Sequence, residues 1–165
     1  MNSCTSHPVS LSDSQCVSFE FQSHSSTPGT PWDRVGEGEA LFQREGSVLT
    51  LEEKGFWWER DARDSVRHAF RKRVILERLD RNRVMVRKSS PDGGLLDLLT
   101  LERTEIGIWS SPRPHVCLQD VYRAEFSLDD SEVFTFRWWS EGPEKNYEIL
   151  TRYLDAHLTR AWLES

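Results

Sequence analysis

No run of this sequence comes near the roughly 18 consecutive apolar residues that a membrane span requires. Cysteine is scarce, with Cys4, Cys16 and Cys117 the whole complement. Their wide spacing and odd number exclude the disulfide framework that staples small secreted domains, and point to free thiols in a reducing compartment. The first residues lack a positively charged segment followed by an apolar one, so no secretory signal is read and a cytoplasmic protein is expected. Positive charge is also short. Lys and Arg number 21 against 27 Asp and Glu, for a net charge of −6. An extended phosphate-binding footprint needs clustered basic excess, so no nucleic-acid partner is expected. The densest basic run, Arg67, Arg71, Lys72, Arg73, Arg78, Arg81 and Arg83, alternates with apolar residues among acidic neighbours, as a solvated strand face does.

What the chain has instead is rings: seven Trp, eight Phe and three Tyr in 165 residues. Aromatic side chains bury large areas and favour strands. Residues 1–15 are Ser-rich and follow no period, and are read as a disordered tail. Val17, Phe19 and Phe21 then alternate with polar residues at the strand period of two. Ser23 to Gly38, with its prolines and glycines, is expected to be a loop. Short strands follow: Ala40 with Phe42, Val48 to Glu52 after a turn at Glu45-Gly46, Val74 with Leu76, and Val84 with Val86. Gly55 is expected to mark a bulge before Phe56, Trp57 and Trp58.

Ser89 to Gly94 is a strong turn signal, followed by the apolar run Leu95 to Leu101. After a break at Ser110 to Pro114, the residues Val116, Leu118, Tyr122, Ala124, Phe126 and Leu128 share one parity and are read as lying along a single strand. Phe134, Phe136 and Trp138 follow a turn at Asp129 to Ser131. Near the end, Tyr147, Ile149, Thr151 and Tyr153 suit a strand, whereas Tyr147, Leu150, Leu154, Leu158 and Ala161 suit a helix. The expected solution is a closing strand to about Leu154 and a short helix from Asp155 to Leu163. The domain is thus drawn over 16–154, with 155–165 as a helical extension. Eight to ten antiparallel strands with almost no helix leave an all-β barrel or a sandwich, and a barrel of this size can enclose one small ligand.

The string His115-Val116-Cys117-Leu118-Gln119-Asp120-Val121-Tyr122 is the richest in chemistry. On one regular strand His115 and Cys117 face one way and Asp120 and Tyr122 the other, and a bulge between Cys117 and Asp120 would bring the four together. Asp120 would then orient His115, with Tyr122 and the Cys117 thiol as donor or nucleophile. The plainer reading gives Asp120 and Tyr122 to loop backbone groups and Cys117 to the core. No second Cys or His pair lies at zinc-finger spacing, so no metal is expected, and haem ligation by His115 or His68 rests on residue type alone. No cofactor is expected. In the second string, Trp138 to Tyr147, Gly142-Pro143 suits a tight connection. Lys145 there either meets an anionic head group or is simply solvated, and Trp138 and Tyr147 are candidates for a pocket wall.

These two strings carry a resemblance. The His115-x-Cys117-x-x-Asp120-x-Tyr122 run, then Trp138, Gly142-Pro143-x-Lys145-x-Tyr147 and Thr151-x-Tyr153, resembles an uncharacterised lipocalin-like (calycin-type) domain-of-unknown-function family of bacteria and fungi. The Gly36-x-Gly38-x-Ala40-x-Phe42 segment and the Glu45-Gly46 turn are similar to its opening strands. The likeness runs from about Cys16 to Leu154. It departs in the first strand, where the family's Leu-x-Gly-x-Trp is missing from Val17 to Gln22, and at Asp92-Gly93-Gly94, which lacks the family's arginine. The resemblance implies a lipocalin-like antiparallel barrel and no particular activity.

Three functions follow from this reading. A binding barrel would hold a small hydrophobic or amphipathic ligand, with His115, Tyr122, Trp138, Lys145 and Tyr147 as its contacts. An acid-base or isomerase-type enzyme would use His115, Asp120 and Tyr122, with Cys117 beside them. An interaction domain, monomeric or homodimeric, would use a face of Trp57, Trp139 or Trp162.

Overall fold

The computed structural model describes residues 13–26, 33–61 and 66–165. Most of the expected tail therefore lies outside the described residues. Eleven strands and one helix follow in order: β1 (Ser14–Ser25), β2 (Arg34–Glu45), β3 (Val48–Glu59), β4 (His68–Arg78), β5 (Arg83–Ser89), β6 (Leu95–Glu105), β7 (Ile108–Ser110), β8 (His115–Cys117), β9 (Asp120–Leu128), β10 (Phe134–Glu141), β11 (Asn146–Tyr153) and α1 (His157–Glu164). Every pairing is antiparallel. Consecutive strands join as a meander, β9 pairs with β10, and β11 returns to β1. The ring closes as ten strands, because β7 and β8 lie end to end along one edge of β9.

The interruption between β7 and β8 has a local cause. Pro112 and Pro114 supply no amide to the ladder, and the register against β9 shifts by two residues between Ser110 and His115. Ser111 bridges part of the gap: its amide donates to Ala124 O at 2.9 Å and its Oγ accepts from the Ala124 amide at 3.1 Å. On its other side β7 pairs with β6 only from Glu102 to Glu105. The half of β6 from Leu95 to Leu101 has no ladder on that edge among the described residues.

Alternation decides what is inside. The buried set Val17, Phe19, Ala40, Phe42, Leu49, Leu51, Val74, Leu76, Val84, Val86, Leu101, Trp109, Ala124, Phe126, Phe134, Phe136 and Tyr153 takes one parity of each strand, the period-two face that a closed sheet turns inward. Phe42, Phe134 and Tyr153 meet ring to ring, with centroids 5.2 to 6.2 Å apart, and Phe126 stands 5.4 Å from Phe134. From Ala156 onward the chain folds under this end. Leu158 and Trp162 of α1 are buried in the core, and Trp162 Nε1 donates to Ser47 O at 2.8 Å. The helix therefore stoppers one mouth of the barrel. The closing strand and the short helix after it match the expected solution.

Four expectations need correction. Ser23 to Gly38 is not one loop: β1 runs on to Ser25 and β2 starts at Arg34, with 27–32 outside the described residues. Gly55 forms no bulge, since it pairs in register with Gly38. A Cβ on Gly38 would overlap the Lys54 carbonyl, and one on Gly55 the Glu37 carbonyl. The two glycines let the β2 and β3 backbones approach closely there. Val116 and Leu118 do not share the inward face of Ala124; both are exposed, Leu118 by 96%. The chain reverses at Leu118, whose φ of 56° is a left-handed value that glycine ordinarily supplies. The chemistry-rich string is thus a two-stranded hairpin, which no bulge in a single strand would produce.

Trp57 and Trp138 share the inward parity, and Trp58 and Trp139 the outer one. Outside, arginines cover the rings: Arg67 lies 4.8 Å from Trp58 and Arg137 5.6 Å from Trp139. No described helix is long and apolar enough to cross a membrane.

Candidate functional site

At the end of the barrel away from α1, the inward face changes character. Along β3 the sequence Leu49, Leu51, Glu53 keeps one parity, and Glu53 is buried with its side chain 3% exposed. Tyr153, from the last strand, donates its hydroxyl to Glu53 Oε1, and Lys72, the cross-strand partner of Glu53, places Nζ 3.9 Å from Oε2. Burial, with the Glu53 carboxylate beside it, pushes the Tyr153 hydroxyl well above its ordinary range. Past this group the inward parity carries rings again, with Phe70 of β4 meeting Phe19 and Phe21 edge-on.

Above it stands a second polar cluster, built by the hairpin and the last turn. The turn from Cys117 to Asp120 brings His115 opposite Tyr122. The β10–β11 turn, closed by the Gly142 amide on Lys145 O at 2.6 Å, brings Lys145 back over them. Asp120 Oδ2 receives both Lys145 Nζ at 2.8 Å and Tyr122 Oη at 3.2 Å, while Lys145 Nζ stands 3.5 Å from Tyr122 Oη. The other carboxylate oxygen lies against Gly142, where any Cβ would overlap it. The Lys145 ammonium, with help from Tyr122, holds the Asp120 carboxyl below the usual carboxylate range. The same hydrogen bonds, Asp120 first, raise Lys145 above the ordinary lysine range. Both groups are therefore charged at neutral pH.

Trp138 closes one side, its ring centroid 5.8 Å from that of Tyr122. Ser140, paired with Tyr122 across the ladder, is fully buried, and its Oγ has no partner among the described residues. His115 lies beside the Tyr122 ring at 6.2 Å. Among the described residues no hydrogen bond joins it to Asp120, so Asp120 steadies a lysine and a tyrosine, not the histidine that the sequence suggested. Cys117 is exposed at the hairpin tip, not in the core. No three His, Cys, Asp or Glu side chains among the described residues gather as metal ligands. Sequence pattern gave no role to Glu53 or Ser140 and set Lys72 on a solvated strand face. The parity of Leu49 and Leu51 places Glu53 inside, and that of Phe134 and Phe136 does the same for Ser140.

Residues 25–155 match a family of unknown function, DUF6314. The chain belongs to that family. The DUF6314 match takes in β2 to β11, and so every residue of both polar clusters, but leaves α1 and nearly all of β1 outside. No curated protein and no solved structure matches the chain. What the DUF6314 barrel offers chemically is a half-exposed ammonium, with a tyrosine hydroxyl and an indole face beside it.

Proposed function

We propose that this barrel is a lipocalin-like binding module of the cytoplasm. It holds a small amphipathic molecule at the mouth opposite α1. The ligand's polar end meets Lys145 and Tyr122, and its apolar part lies along Trp138, with His115 and Tyr147 at the edges. The observation that carries this reading is Lys145: Asp120 and Tyr122 fix its ammonium, yet its side chain stays 42% exposed and so open to a ligand's anionic end, with the Trp138 ring on Tyr122 beside it. The aromatic filling, which reaches Phe21 and Phe70, argues for a shallow site at the mouth, which suits a molecule with one polar and one apolar end.

Native mass spectrometry of the purified full chain tests this directly. The expected result is a mass above that of the 19.3 kDa polypeptide that is lost on acid denaturation. A fluorescent amphipath such as anilinonaphthalene sulfonate should also bind saturably, and Trp138→Ala should weaken it. A bare mass, together with probe binding that ignores Trp138→Ala, refutes the reading.

A further inference from the structure

The stoppered end of the barrel carries a separate feature. A cleft of about 670 Å³ lies where α1 ends, beside Arg81 of the β4–β5 turn and Ile106-Gly107 of the β6–β7 turn. Four arginines line it, Arg78, Arg81, Arg103 and Arg160, against three side-chain carboxylates, Asp129, Asp130 and Glu164, with Ser165 beside them. Elsewhere in this acid-rich chain many arginines are matched, as Arg44 is to Asp13, Arg73 to Glu52 and Arg152 to Glu20. Among the described residues Arg78, Arg81 and Arg103 form no ion pair.

The acids that might have neutralised them have other work. Asp80 accepts from the Asn82 amide at 2.8 Å and from Arg83 Nε at 2.7 Å, fixing the turn that carries Arg81. Asp129 accepts from the Val133 amide at 3.0 Å. Glu164 and Glu132 lie within ion-pair range of Arg160. Among the described residues, Asp130 alone of these side-chain carboxylates has neither hydrogen bond nor cation. The guanidinium of Arg78 gives one nitrogen to Ser165 Oγ at 3.0 Å, while its Nε is buried without a partner. Arg103 lies over the Trp109 ring at 5.5 Å, with Nε 3.4 Å from Glu105 O.

From this arrangement we infer a phosphate site: the cleft takes the phosphoryl group of a small phosphate monoester, with Arg81 and Arg103 as its accessible forks and Arg78 behind them. Planar guanidinium forks match phosphoryl oxygens in pairs, and three of them present more donors than the two oxygens of a carboxylate can take. An organic substituent has a wall to lie on in Ile106, which is 91% exposed, and Leu163. The site is independent of the mouth, being at the other end of the barrel.

The test titrates the full chain with phenyl phosphate, inorganic phosphate and phenol, following arginine Nε–Hε resonances by NMR and heats by calorimetry. Phenyl phosphate should bind, phosphate more weakly, and phenol not at all. Arg81→Gln and Arg103→Gln each remove a charged hydrogen-bonding fork from an exposed position and should weaken phenyl phosphate about tenfold. Asp130→Asn removes the repelling carboxylate and should tighten it, a gain that a merely structural role for these arginines does not produce. Phenol binding as well as phenyl phosphate, or affinities unchanged in both arginine variants, overturns the inference. Resonances unmoved by either phosphate do so too.

Discussion

Lys145 meets Asp120 at 2.8 Å although 25 residues separate them in the chain. The contact ties the β10–β11 turn to the tip of the β8–β9 hairpin, across the end of β10. An ion pair this exposed adds little to global stability; its effect is to hold two loops in one relative position.

Lys145→Met should release that hold. Asp120 then loses the largest cause of its lowered pKa, and its carboxyl carbon should titrate by NMR nearer the usual carboxylate range. The sign for stability follows. A carboxyl whose pKa falls on folding stabilises the native state above its unfolded pKa, and that contribution disappears as pH drops through the folded value. Acid unfolding of the wild type should therefore be steeper below pH about 4 than that of the variant. Identical profiles, with Asp120 unmoved, would contradict the assigned contact.

Gly142→Ala puts a methyl group where the Asp120 carboxylate rests. The expected outcome is a displaced Asp120 and loss of the Lys145 contact while the barrel stays folded, seen as faster amide exchange at the hairpin with little change at Phe42 or Phe126. An unperturbed Asp120 signal would show that the turn gives way instead.

Tyr153 and Glu53 form a pair that should be removed together or not at all. Tyr153→Phe leaves the buried carboxylate with only Lys72, 3.9 Å away, and should cost about 1–3 kcal/mol in urea unfolding. Adding Glu53→Leu should recover most of the loss, because apolar replacement of a buried polar pair is often neutral or stabilising. In the wild type Tyr153 should not ionise while the fold holds. With its pKa raised by folding, its stabilising contribution is complete below the unfolded tyrosine value and is lost as pH rises through the folded one. Ultraviolet titration beside circular dichroism checks whether its ionisation coincides with unfolding.

Trp162→Ala removes the stopper. Truncating a buried aromatic costs about 3–5 kcal/mol, and the variant should unfold at clearly lower urea. A loss under 1 kcal/mol would mean that the lower core holds without α1.

Much of this architecture was readable in advance, because alternation is written into the chain wherever a strand has one wet face. Val17-Phe19, Ala40-Phe42 and Phe134-Phe136 announce their strands, and all six side chains are buried. The hairpin at Leu118 was not readable. Its turn holds Leu-Gln, with none of the Gly, Asn or Asp that gives such a reversal its chemistry, so parity ran straight through it. The error mattered for the site. On a continuous strand Asp120 and His115 need a bulge to meet, whereas a reversal sets His115 opposite Tyr122 and frees Asp120 for a lysine from another turn. Lys145 itself could be named from its Gly142-Pro143 setting, but its partner depends on contacts across strands that no local pattern encodes.

The short β7 ladder has a consequence for traffic. Backbone bonding encircles the molecule fully only near the helix; nearer the mouth, the stretch of β6 from Leu95 to Leu101 and the hairpin stand as two flaps with no seam stitched between them. For the ligand proposed above, that gap offers a lateral entry between β6 and the hairpin.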